Sequence, residues 1–173
     1  MIRGFVAGVI AMILIALVSG YFLLRSGIIP ANADAKPGGL ELWVAGTSLD
    51  ATLRSQAPKG PNPIALTDAN LVQGISLYGQ HCAICHGTGS GAASASPVAK
   101  GLYPPPPQFA DEGVEDDPEG VSYWKIKHGI RLTGMPAWGR SLSDGQIWTL
   151  ALFLKHMDKL PPAANKAWAQ VRN

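Results

Sequence analysis

The residues best suited to chemistry in this sequence are Cys82, Cys85 and the adjoining His86. The two thiols are three residues apart, so they lie on neighbouring points of one helical turn, and the histidine that follows can reach beneath them. This order suits covalent attachment of haem, with thioethers from both cysteines to the vinyl groups and a ring nitrogen of His86 on the iron. The pattern predicts one haem c, bound covalently through Cys82 and Cys85.

Two other chemistries use cysteines at this spacing. A redox disulfide would need a thioredoxin-like βαβ context, which the helical patterns of this chain do not provide. A tetrahedral zinc site would need four protein ligands. Beyond the motif, only one further ligand, such as His81 or His128, can be nominated. We therefore favour haem over a disulfide or zinc.

The motif lies at the end of a predicted helix. Thr67 can cap a helix that runs to about Cys82, with an apolar stripe on one side. Gly74 lies on this stripe, where glycine costs about 1 kcal/mol relative to alanine in a helix interior. We expect another backbone to cross very close to Gly74.

Two more helices are predicted after the motif. Asp117 and Pro118 read as an N-cap and a first-turn proline, and Gly129 ends that helix. Ser143 and Gln146 form a capping box that begins the last helix, which runs to about residue 157. This last helix is apolar almost all round, so we expect it to be buried on several sides.

The segments between these helices have no helical or strand period. They cover residues 87–101, 102–109 and 129–142. Long irregular loops normally argue against a compact domain. They become reasonable if they wrap a cofactor that supplies part of the core.

Taken together, residues 67–160 resemble the class I cytochrome c family. The resemblance is carried by Gly74 and Tyr78 before the CxxCH motif, the segment Gly134-Met135-Pro136-Ala137-Trp138, and the apolar helix 144–157. It implies an all-α fold with three main helices and long loops around one covalent haem. In that family the first and last helices cross at small and aromatic residues, so Gly74 and Tyr78 are expected to meet the helix that carries Trp148 and Leu152.

Met135 is the candidate for the second ligand of the iron. It lies in a glycine-flanked loop before a stiffening proline, whereas Met1 is the start, Met12 lies in an apolar N-terminal stretch and Met157 ends an apolar helix. The family places its axial methionine in such a loop, so the resemblance implies that His86 and Met135 are the metal ligands. The rivals to Met135 are His81, His128 and His156, of which His128 is the most serious.

The resemblance also suggests supporting residues. The family orients its proximal histidine by a hydrogen bond to a backbone carbonyl near a proline, and the run Pro104–Pro107 is the place to look. Trp124, Trp138 and Arg131 are candidates for the pocket lining or for propionate contacts. Each is equally well explained by ordinary packing or by a surface position.

The N-terminus contains a long uncharged stretch, residues 5–24. Twenty residues rise about 30 Å as a helix, which matches the hydrocarbon core of a bilayer. A cleaved signal is the alternative, with Arg3 as the basic start and Ala31-Asn32-Ala33 as the cleavage site. Signal-peptide apolar cores are shorter, about 7–15 residues, so a retained anchor is favoured.

These features divide the chain into four parts. They are an anchor at 1–25, a linker at 26–66 with an accessory helix at 39–56, a cytochrome domain at 67–160 and a C-terminal tail at 161–173. The chain has 14 Lys and Arg against 12 Asp and Glu, a net charge of +2. A strongly basic nucleic-acid binder is therefore excluded.

The predicted function is transfer of single electrons by an anchored carrier that is not an enzyme. The donor would be a quinol-oxidising complex or a dehydrogenase, and the acceptor a terminal reductase or oxidase. Because thioether attachment in the family takes place outside the bacterial cytoplasmic membrane, we expect the haem domain on the periplasmic side. The alternatives are a permanent haem subunit of an oxidoreductase complex, and a haem enzyme or gas sensor with a labile sixth ligand. The acidic run at 111–119 is either a docking surface or a solvated loop.

Overall fold

A computed structural model of the chain describes residues 2–89 and 95–172, and over these residues it contains helices and no strands. This agrees with the predicted all-α class. The chain divides into two compact units, Met1–Ala35 and Lys36–Asn173.

The first unit consists mainly of helix α1, Ile2–Arg25, in which no residue is buried. Among the described residues it is the one helix long and apolar enough to cross a membrane, judged by length and composition. A signal sequence near an N-terminus has the same properties.

The second unit holds the remaining helices in a simple order along the chain. They are α2 Gly39–Gln56, α3 Asp68–His81, α4 Ala83–His86, α5 Pro97–Gly101, α6 Phe109–Glu112, α7 Glu119–His128, the 3₁₀ turn Trp138–Arg140, α8 Asp144–His156 and α9 Pro162–Trp168. Helix α2 has the bounds expected for the accessory helix. The short helix α5 and the 3₁₀ turn lie in segments for which the sequence predicted no regular structure, and α6 begins at the end of one of them.

Local capping explains where two of the main helices begin. The Thr67 hydroxyl accepts a hydrogen bond from the Asn70 amide at 3.2 Å, and Ser143 and Gln146 form the predicted capping box. The prediction for α7 was wrong by one residue, because its N-cap is Pro118. Asp117 instead pairs with Lys125, Oδ2 to Nζ at 2.6 Å.

Helices α3 and α8 cross at Gly74, as predicted. A Cβ atom at Gly74 would lie 2.7 Å from the Phe153 Cβ and 2.7 Å from the Thr149 carbonyl oxygen, so no larger residue fits. Gly74 and Tyr78 therefore meet the helix that carries Trp148 and Leu152, as expected, and the residues of α8 at the crossing are Thr149 and Phe153. Trp148 stacks on Tyr123 of α7, with ring centroids 4.2 Å apart.

The C-terminal segment contributes to the same core. Residues 161–173 were expected to form a tail, but α9 packs with Ala164 fully buried. The Trp168 ring lies 5.3 Å from the ring of Tyr78 on α3 and 5.3 Å from that of Phe153 on α8. Helix α8 is thus covered on several sides, and Ile147, Leu150 and Phe153 have no exposed surface.

Candidate haem site

A cavity of about 580 Å³ lies beside α3 and α4. Its wall includes Cys82, Cys85, His86 and Met135, the four residues singled out in the sequence. Its volume falls within the range of about 300–1,000 Å³ of ligand pockets. Most of the other lining side chains are apolar, including Leu102, the prolines 104–107, Phe109, Val114, Ile126, Ile130, Trp138, Leu150 and Leu154. An apolar, ligand-sized cavity with two thiols and an imidazole on its wall fits a covalently bound porphyrin.

The end of α3 and the short helix α4 bring both thiols and the imidazole to this wall. The Cys82 amide donates to the Tyr78 carbonyl at 2.8 Å, and the His86 amide donates to the Cys82 carbonyl at 2.9 Å. This single turn lets Cys82, Cys85 and His86 line one cavity. The spacing of the three residues in the sequence thus places their side chains on the same side of the turn, facing one cavity.

Burial disfavours the charged form of both cysteine side chains. Burial raises the pKa of Cys82 to about 12, with a further contribution from Cys85, and burial also raises the pKa of Cys85. The described residues contain no group of three or more His, Cys, Asp or Glu side chains that could hold a metal ion.

His86 is oriented by a backbone carbonyl and by an aromatic ring. Its Nδ1 lies 3.0 Å from the Pro107 carbonyl oxygen, which confirms the expected contact with the proline run. Its ring stacks on Phe109, with centroids 4.3 Å apart and planes at 7°. Burial lowers the pKa of His86, while the bond to Pro107 opposes that shift. A neutral imidazole that donates from Nδ1 leaves Nε2 as the nitrogen available to a metal.

The loop that carries Met135 is held by its own hydrogen bonds. The Thr133 hydroxyl donates to the Ile130 carbonyl at 2.7 Å and accepts from the Met135 amide at 3.1 Å. Gly134 lies against Leu102, because a Cβ atom at Gly134 would come within 2.6 Å of the Leu102 side chain. These contacts place Met135 at the cavity with little backbone freedom.

The rival histidines differ in position. His81 lines the cavity and its ring centroid lies 5.1 Å from that of Trp138. His128 is exposed beside Trp124, and neither His128 nor His156 lines the cavity. Of the three suggested supporting residues, Trp138 lines the cavity, whereas Trp124 and Arg131 do not.

Several site residues had no signal in the sequence. Phe109 and Gln108 follow the four prolines in a segment without periodicity, and Leu102 lies far along the chain from Gly134. The cavity is also lined by Glu112, Asp116 and Asp117 of the acidic run and by Lys125, for which the sequence contained no indication. Only the resemblance to a family directed attention to the proline run, and it named no side chain there.

A comparison with known families supports the reading of the cavity. A family model described as "Cytochrome C oxidase, cbb3-type, subunit III" matches residues 69–154, a span that begins in α3 and ends in α8. No curated protein matches the chain. The matched span includes the CxxCH turn, the Met135 loop and most of the cavity wall. The chain is therefore a member of the c-type cytochromes, with the class I fold, one covalent haem c and a role in electron transfer.

Proposed function

We propose that Cys82 and Cys85 carry the thioether bonds and that His86 and Met135 are the two axial ligands. The observation that carries this proposal is that all four residues line one apolar cavity. The Nδ1 of His86 is already engaged by the Pro107 carbonyl at 3.0 Å, so Nε2 remains for the iron. Of the four methionines, Met135 is the one on the cavity wall among the described residues.

The bound group supplies a one-electron Fe(II)/Fe(III) couple. When His86 and Met135 occupy both axial positions, they leave no open position for oxygen or peroxide. A thioether ligand from Met135 would favour the reduced state, and the mainly apolar wall would push the potential in the same direction. These residues therefore favour a carrier of single electrons over a catalyst.

We further propose that α1 anchors the protein in the bacterial cytoplasmic membrane, with the second unit on the periplasmic side. The length and apolar composition of α1 support the anchor. A tether raises the effective concentration of the domain near membrane-bound partners. Those partners would be a quinol-oxidising complex or dehydrogenase as donor and a terminal reductase or oxidase as acceptor.

A permanent place in an oxidoreductase complex is the second candidate. The description of the matching family names an oxidase subunit, which is the observation that supports this candidate. Purification in mild detergent separates the two, because a freely docking carrier leaves its partners at moderate salt. A fixed subunit stays in a stable complex under the same conditions.

The axial role of Met135 is tested by Met135→Leu, with Met157→Leu as the matched control. Met157 is half-buried at the end of α8 and packs against the core without lining the cavity. In the oxidised full-length haem protein, Met135→Leu should abolish the sulfur-to-iron absorption band and lower the midpoint potential. Met157→Leu should keep both.

Retention of the band in Met135→Leu would assign the ligand to another residue. A high-spin oxidised spectrum in the unsubstituted protein would contradict the carrier function itself, because it would show an open axial position.

A further inference from the structure

Gln108 is a buried amide that contacts both sides of the His86 site. Its exposed fraction is 7%, and it directly follows the four prolines. Its Nε2 donates to the Cys85 carbonyl at 2.9 Å and to the Pro106 carbonyl at 3.1 Å. One side chain thus joins the turn that bears the thiols to the proline run.

The orientation of this amide is fixed by its partners. Both are carbonyl oxygens, so only the NH₂ group can face them. The other end, Oε1, is buried and has no hydrogen-bond partner in the described part of the chain. It lies against Gly87, where an added Cβ would be 2.6 Å from it. A buried acceptor without a partner is unfavourable, so the two donated bonds must offset its cost.

The two carbonyls that Gln108 binds lie next to the two ends of the His86 contact. Cys85 directly precedes His86, and Pro106 directly precedes Pro107, whose carbonyl lies 3.0 Å from His86 Nδ1. The Gln108 backbone amide is itself held by Glu112 Oε1 at 2.8 Å. The Gln108 side-chain amide therefore joins the same two segments, the thiol-bearing turn and the proline run, as the hydrogen bond from His86 to Pro107.

We propose that Gln108 is a positioning residue for His86. By tying the Cys85 carbonyl to the Pro106 carbonyl, it holds the Pro107 acceptor at hydrogen-bond distance from Nδ1 and fixes the orientation of the ring. This inference rests on the proposed role of His86 as an axial ligand. Hydrogen bonding at the far nitrogen of a metal-bound histidine raises the basicity of the ligand, so Gln108 also sets how strongly His86 donates to the iron.

The test compares Gln108→Met with Thr149→Val in the full-length haem protein in detergent. Methionine has nearly the volume of glutamine but donates no hydrogen bond. Thr149 is a matched control, because it is similarly buried, its hydroxyl donates to the Gly145 carbonyl at 2.8 Å, and it does not line the haem cavity. Three quantities are measured: the exchange rate of the His86 Nδ1 proton by NMR, the midpoint potential and the thermal unfolding midpoint.

Gln108→Met should speed the Nδ1 proton exchange at least about tenfold, a factor that corresponds to about 1.4 kcal/mol. It should also raise the midpoint potential, because a less basic imidazole stabilises Fe(III) less. Thr149→Val should lower the unfolding midpoint and leave the exchange rate and the potential unchanged. If Gln108→Met fails to accumulate with haem, the exchange rate and the midpoint potential are measured on Gln108→Asn instead. The shorter asparagine amide cannot reach both carbonyls, so the same changes are expected.

A Gln108 variant that changes only the unfolding midpoint, as the control does, would overturn the proposal and leave Gln108 as a packing residue. Failure of the underlying ligand assignment is distinguishable, because it would appear in the spectrum of the unsubstituted protein.

Discussion

The Tyr78 hydroxyl ties the haem-attachment turn to the core. It donates to the Gly87 carbonyl at 2.8 Å, and the ring is 1% exposed. Burial raises the pKa of Tyr78, so the hydroxyl remains a donor throughout the physiological range. Tyr78→Phe removes the hydroxyl donor of the buried Gly87 carbonyl and should lower the free energy of unfolding by about 1–3 kcal/mol in denaturant titration.

Tyr123→Phe is the matched comparison for this prediction. Tyr123 is also buried, but its hydroxyl accepts from the Lys127 ammonium and donates to the Asp144 carboxylate, two charged groups that water can solvate after the change. Tyr123→Phe should therefore lower the free energy of unfolding clearly less than Tyr78→Phe does. Equal decreases in the free energy of unfolding would mean that the hydrogen bond from Tyr78 to the Gly87 carbonyl does not stabilise the fold more than the hydrogen bonds of Tyr123 do.

At the residue scale, local chemistry was the most predictable part of the molecule. Thr67 and Ser143 cap helices through bonds to neighbours three residues away, so the sequence itself holds the information. The His86 contact was predicted only to a run of four prolines, and the structure assigns it to Pro107. Gln108 was missed because it acts on Cys85, 23 residues away, from a segment without a period.

At the element scale, the crossing of α3 and α8 depends on Gly74. A Cβ there would lie 2.7 Å from both the Thr149 carbonyl oxygen and the Phe153 Cβ. Gly74→Ala should therefore force the helices apart and cost about 1–3 kcal/mol, measured as the change in the free energy of unfolding.

Gly46→Ala in α2 is the control, because nothing lies within 4 Å of a Cβ atom at Gly46. Alanine is the better helix former by about 0.5–1 kcal/mol, so this variant should not be destabilised. A loss in Gly46→Ala as large as that in Gly74→Ala would show that the cost arises from helix chemistry alone and not from the crossing.

The end of α7 and the start of α8 are joined by an ion pair with a defined pH dependence. Lys127 Nζ lies 2.7 Å from Asp144 Oδ1, and the hydrogen bond from Lys127 lowers the pKa of Asp144. The folded pKa is below the unfolded value of about 3.9, so the stabilisation is complete above that value and is lost as the pH falls through the folded pKa. Asp144→Asn should lower the unfolding midpoint near neutral pH, and the difference should vanish in strong acid.

A double-mutant cycle with Lys127→Met isolates this pair. The coupling between the two substitutions should be present near neutral pH and absent in strong acid. A coupling that persists in acid would show that the contact does not depend on the Asp144 charge.

Which face a helix presents was harder to predict than where it begins. Helix α8 is apolar almost all round, so the sequence contains no stripe that distinguishes Thr149 and Phe153 from Trp148 and Leu152. Helix α9 has seven residues, too few for a periodic signal, and its place depends on Trp168 meeting Tyr78 and Phe153. Such long-range packing is decided by the three-dimensional fit and not by local pattern.

At the scale of the whole molecule, the fate of α1 decides where the haem domain works. If α1 is retained, mass spectrometry of the mature protein should include residues 2–25, and the protein should stay with membranes after an alkaline wash. Replacing residues 1–25 by a cleavable signal should release a soluble protein with the same haem spectrum. A mature chain that starts after Ala33 and lies in the soluble fraction would instead identify a signal peptide.

The packing of the C-terminal segment also limits how the protein can be handled. Val171 lies against α3, where a Cβ atom at Gly79 would be 3.3 Å from its side chain. Only two residues separate Val171 from a tag or fluorescent fusion attached after residue 173, so such an attachment would start close to α3. A flexible spacer at that position should therefore preserve the contact between Val171 and α3 better than a direct fusion.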